Sequence, residues 1–111
     1  NPNGEDYNFT FTKENKKELK YLETICEKVY ITLICVKDRQ ICCLSSTDFY
    51  VWLAKRASAL GSEEDASTIL VSLPEGKAFR VNMNQPGRKK VYLGNPQIVA
   101  RNQFPNALFE K

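Results

Sequence analysis

Lys77, Arg80, Arg88, Lys89 and Lys90 lie close together in the chain and are interleaved with Phe79 and Tyr92, with Arg101 on their C-terminal flank. Cations at this density can neutralise phosphates, and aromatic rings among them offer faces on which bases stack. The charge bias is regional. From Lys77 onward seven basic residues stand against one acid, Glu110, whereas residues 1–76 hold nine bases and twelve acids. The net charge of +3 therefore arises in the last third of the chain. A basic segment on a near-neutral body marks a surface that meets an anionic partner. The competing reading is a solvated edge strand whose lysines block edge-to-edge pairing.

No other group of residues points to chemistry. The chain has no histidine, so the commonest general base near neutral pH is missing. A serine or cysteine nucleophile would have to use a lysine or a carboxylate as its base. GxSxG, GxGxxG and phosphate-loop patterns are absent. Glu63, Glu64 and Asp65 are consecutive, but a hard-cation site needs oxygens converging from several places. They read as a charged loop. The expectation is a binding protein that is not an enzyme and uses no metal and no cofactor.

The four cysteines, Cys26, Cys35, Cys42 and Cys43, each sit in an apolar run and form no CxxC pair. Reduced, buried cysteine acting as a small hydrophobe is the favoured reading, with Cys26 and Cys35 inside. An even count in a short chain also admits a disulfide framework. The sequon Asn8-Phe9-Thr10 would suit a secreted chain. An intracellular location is favoured, with secretion as the alternative. No apolar run reaches the roughly 18 residues of a membrane span. The first residue is Asn1 rather than Met, which reads as a processed or excised form.

The elements that must position the basic segment follow from periodicity. Residues 1–6 read as a flexible lead-in and 7–111 as a single domain. Tyr7 to Phe11 alternates like a half-buried strand. Thr12 can cap a helix over 13–28, with Leu19, Leu22, Ile25 and Cys26 on its apolar stripe. Residues 29–36 and 41–45 form a hairpin around a polar turn, with the first strand central in a sheet covered on both sides. Ser46 or Thr47 caps a second helix that ends at Gly61, with Phe49, Trp52, Leu53 and Arg56 on one face and Trp52 in the core. Strands follow over 68–73, 77–83 and 88–93, then a docked tail with a short helix. The order is β-α-β-β-α-β-β-β plus tail, an α+β fold with a largely antiparallel sheet and two helices. Alternation along 77–83 places Arg80 with Tyr92 and Lys89 or Lys90 on one surface.

Residues 79–94 resemble the second and third strands of plant AP2-type DNA-binding domains, in which a basic strand ends at a Leu-Gly turn. The next segment, interrupted by Pro96 and Pro105, departs from the Ala-rich helix of that family. The element order is similar to that of the small secreted RNase-like effectors of fungal plant pathogens. Tyr7-Asn8-Phe9 stands where those carry Tyr-x-Cys, and without histidine such a protein would be catalytically dead. The leading reading is a domain whose basic β-ribbon (Lys77, Arg80, Arg88, Lys89, Lys90, Tyr92, with Arg101) engages nucleic acid. The alternatives are a protein-interaction module using the second helix and tail, and the secreted effector-like protein.

Overall fold

A computed structural model of the chain describes residues 6–88 and 91–101. Strand β1 (Asp6–Phe11) is followed by α1 (Lys13–Ile25), β2 (Tyr30–Cys35), a 3-10 turn (Val36–Asp38), β3 (Gln40–Ser45) and α2 (Ser46–Leu60). Strands β4 (Ser67–Ser72), β5 (Phe79–Asn82) and β6 (Gln97–Val99) complete the order. The expected α+β class, antiparallel pairing and element order are all present. The strands divide between two sheets, however: a four-stranded one ordered β1-β4-β5-β6 and a two-stranded one of β2 and β3.

Both helices begin where side chains satisfy free backbone amides. The Thr12 hydroxyl accepts from the Asn15 N–H, and the Asn15 side chain accepts from the Thr12 N–H. The second cap is Ser45, one residue before the expected Ser46, with its hydroxyl accepting from the Asp48 N–H at 3.1 Å. Gly61 ends α2 at φ +90°, a left-handed conformation that a side chain would strain.

The core lies between the inner faces of the two sheets and α2. Phe49, Trp52, Leu33, Leu44, Ile69, Val71, Phe79, Val81 and Met83 are all buried. Side chains of this size each contribute about 1.5–3 kcal/mol on leaving water. Phe11 and Phe49 meet edge-on at 4.8 Å between ring centroids, joining β1 to α2. Tyr7 joins the sheets: its hydroxyl donates to Asp38 Oδ2 at 2.7 Å and accepts from the Asp38 N–H at 3.0 Å. Gln97 latches β6 to α2, accepting from Trp52 Nε1 at 2.7 Å and donating to Asp48 Oδ2 at 2.8 Å.

Four local expectations are corrected. Strand β2 is not central: among the described residues it pairs with β3 alone, and Ile34 opposite Ile41 lies on the outer face, with Ile34 57% exposed. On that second face Ile34 and Ile41 form a cross-strand pair, while Cys43, opposite Thr32, is buried. Helix α1 stops at Ile25, and of its apolar stripe only Leu19 is buried. Cys26 is exposed, since it follows the last helical turn in extended backbone. Of the strand expected at 88–93, the described residues show an isolated bridge, Asn84 to Tyr92, and among them regular pairing with β5 is made by Gln97–Val99. Gly94, at φ +76°, and Pro96 interrupt the run between them. Part of the expected docked tail is thus the edge strand β6. Residues 1–5 of the lead-in and residues 102–111 of the tail lie outside the described residues.

Candidate nucleic-acid interface

The basic residues of the last third are positioned by the outer face of the four-stranded sheet. Side chains alternate across a strand. In β5, Phe79 and Val81 point into the core, which sends Arg80 and Asn82 outward. The register brings Ser72 opposite Arg80 and Leu70 opposite Asn82, and β1 adds Asn8 opposite Leu70. Asn84 and Tyr92, paired across the bridge, continue the same face. The two helices and the β2–β3 hairpin contribute to the core on the other side.

This face forms the floor of a groove of about 700 Å³, walled by the loop that follows β5. Arg80, Arg88, Asn82, Tyr92 and Ser72 all line it. The loop turns back at Gly87, φ +72°, where the Arg88 N–H donates to the Gln85 carbonyl. It is held by backbone bonds from Gln85 N to Val91 O at 2.6 Å and from Leu93 N to Met83 O at 2.9 Å. Arg56 fixes its base, donating from Nη1 to the Asn84 carbonyl at 2.6 Å. Glu64, the acid at this end of the groove, is held by Arg56 through two further bonds of 2.9 and 3.2 Å.

The residues picked out by sequence do not all reach the groove. Arg80, Arg88 and Tyr92 do. Lys77 lies exposed in the turn between β4 and β5, where its carbonyl accepts from Arg101 Nε at 2.7 Å. Arg101 Nη2 reaches the Pro74 carbonyl at 3.4 Å, so its guanidinium closes this turn. Lys89 and Lys90 lie outside the described residues. The Arg80 guanidinium makes no hydrogen bond or ion pair among the described residues.

Asn82 was not singled out by sequence reasoning. It is only 6% exposed, lines the groove, and its Oδ1 has no hydrogen-bond partner among the described residues. Its place in the Arg80 alternation was legible, but its burial was not.

Other features carry less chemistry. A second groove, of about 510 Å³, runs between α1 and α2, with Lys13, Lys17 and Lys20 facing Tyr50 and Leu53. Glu63 and Asp65 line it too and offset those lysines, while Lys16 is engaged by the Glu64 carbonyl and Ser67 Oγ, both at 2.8 Å. The four cysteines are free thiols. Burial pushes Cys35 up to about 11 and Cys42 up to about 12, and raises Cys43 as well, so these are poor nucleophiles. Among the described residues no three Cys, Asp or Glu side chains gather as a metal site, and no helix is long and apolar enough to cross a membrane. Comparison with protein-family models, with curated proteins and with solved structures found no match.

Proposed function

We propose that this domain binds nucleic acid in the groove on the outer face of its four-stranded sheet, without catalysing a reaction. The observation that carries the reading is the placement of Arg80 and Arg88 with Tyr92 around one groove, Arg80 having no partner among the described residues. An arginine on a sheet face beside a second arginine supplies the fork that matches phosphate oxygens. A half-exposed tyrosine on the same face supplies a stacking platform. Lys89 and Lys90 follow Arg88 in sequence and bring two further positive charges to this segment of the chain. Ser72, Asn82 and Asn8 make the floor polar, which suits base edges and sugars better than an apolar peptide face. Lys77 and Arg101 support the turn at the end of the sheet rather than the ligand.

The test is a fluorescence-anisotropy titration of a labelled ten-nucleotide single strand at about 50 mM salt, a condition that favours phosphate contacts. The wild-type protein binds, and the Arg80→Gln/Arg88→Gln variant binds at least tenfold more weakly while keeping its fold by circular dichroism. Equal binding by the two proteins, or none by the wild type, would refute the reading.

A further inference from the structure

We infer that the groove between α1 and α2 is a docking site for an amphipathic helix of a protein partner, one with acidic residues along a flank of its apolar stripe. It is separate from the nucleic-acid reading, which concerns the outer face of the sheet. The starting point is a match of spacing. Lys13, Lys16, Lys17 and Lys20 recur at three- and four-residue steps along α1, and Tyr50, Leu53, Ala54 and Ala57 recur in the same way along α2. Each set forms one stripe on its helix. Both stripes line one groove of about 510 Å³. Two contacts show that the helices run antiparallel. The Lys16 ammonium, near the start of α1, donates to the Glu64 carbonyl beyond the end of α2, at 2.8 Å. The Ser46 hydroxyl, at the start of α2, donates to Glu23 Oε2 near the end of α1, also at 2.8 Å. Lys20 therefore lies toward the Tyr50 end of the groove and Lys13 toward the Ala57 end.

An occupant must match a floor, a wall and an end. The floor is apolar: Tyr50, Leu53 and Ala57 are half-buried, and the two alanines are small enough for another helix to come close. The wall is basic: Lys13, Lys17 and Lys20 are exposed and make no ion pair among the described residues. At one end stand Glu63 and Asp65, on the loop that Lys16 holds. A helix with aliphatic side chains at matching three- and four-residue steps seats them on the α2 stripe. Acids on one flank then meet Lys17 and Lys20, and a basic residue at the end meets Glu63 and Asp65. Each stripe is about 10 Å long at 1.5 Å per residue, which suits about two turns of a partner helix. A nucleic acid carries a charge on every residue and no aliphatic stripe, so it is repelled at the acidic end and leaves the floor unused.

The experiment titrates the whole protein into labelled synthetic peptides and reads anisotropy. The test peptide is a sixteen-residue, alanine-based helix with leucines on one stripe, glutamates along one flank and an arginine at one end. The control peptide exchanges every glutamate for lysine. Wild-type protein binds the acidic peptide, and binds it more tightly than the control by about tenfold or more. Ala54 is exposed, so Ala54→Gln keeps α2 while filling the floor, and it weakens binding of the acidic peptide by about tenfold or more. Lys17→Glu/Lys20→Glu reverses the preference, so that the lysine peptide becomes the tighter ligand. Circular dichroism checks that both variants keep the fold. No binding of the acidic peptide by the wild type, equal binding of the two peptides, unchanged binding by Ala54→Gln, or a preference that survives the charge reversal overturns the inference. Displacement of the bound peptide by a ten-nucleotide single strand assigns the groove to nucleic acid instead, and overturns it too.

Discussion

Arg56 and Glu64 form a two-pronged ion pair, Nε to Oε1 at 2.9 Å and Nη2 to Oε2 at 3.2 Å, and the third arm of the same guanidinium donates to the Asn84 carbonyl at 2.6 Å. One side chain on α2 thus joins the loop before β4 to the base of the loop that carries Arg88 and Tyr92. The pair is partly shielded, with the side chains 19% and 25% exposed. Its chief effect is to hold the groove wall in place while neutralising the acid beside it.

Truncating Arg56→Ala leaves the Asn84 carbonyl and the Glu64 carboxylate without these donors. The expected loss of stability is about 1–3 kcal/mol. Glu64→Gln keeps an acceptor for the guanidinium and costs less. Urea unfolding followed by circular dichroism measures both, and equal midpoints for Arg56→Ala and wild type would show that the loop is held by other contacts.

Gln97 is the joint between the edge strand and α2. Gln97→Ala strands the buried Trp52 Nε1–H, again at about 1–3 kcal/mol. Gln97→Glu keeps the acceptor for Trp52 but sets a carboxylate against Asp48, so it gains back stability as pH is lowered. Trp52 is the only tryptophan, so its emission during unfolding reports this joint directly.

Alkali should destabilise the fold. Burial holds the Cys35 and Cys42 thiols up at about 11 and 12 against an ordinary 9.0. Burial, together with the Asp38 carboxylate that accepts its proton, holds Tyr7 at about 12 against 10.0. Between the ordinary and the raised values the unfolded chain has lost protons that the native chain retains. Stability from these groups is therefore complete below about pH 9 and falls as pH rises toward 12. Thermal midpoints that stay flat from pH 8 to 11 would contradict this. In native protein at pH 8, a thiol reagent should modify exposed Cys26 first and the buried thiols only on unfolding.

The helices and most strands were legible because their signals are local. Thr12 and Gly61 mark boundaries by backbone chemistry alone, and alternation along β5 predicted that Arg80 would face away from Phe79. The third C-terminal strand was harder. Arg88 to Leu93 has strand-like composition, yet whether it pairs depends on how tightly the Pro86-Gly87 turn returns it to β5. Among the described residues the answer is a single bridge, with ladder pairing at Gln97–Val99. The roles of Arg101 and Asn82 were illegible for a related reason. One is set by two turn carbonyls and the other by a burial that strand alternation does not predict, and neither leaves a pattern in nearby sequence.

The most direct test of where the ligand sits is an amide chemical-shift map of isotope-labelled protein titrated with a ten-nucleotide single strand. Binding in the groove predicts the largest shifts at Leu70, Ser72, Arg80, Asn82, Arg88 and Tyr92, with small changes along the α1–α2 groove at Lys13, Lys20 and Leu53. Shifts concentrated on α1 and α2, with the outer face of the sheet unmoved, would contradict it.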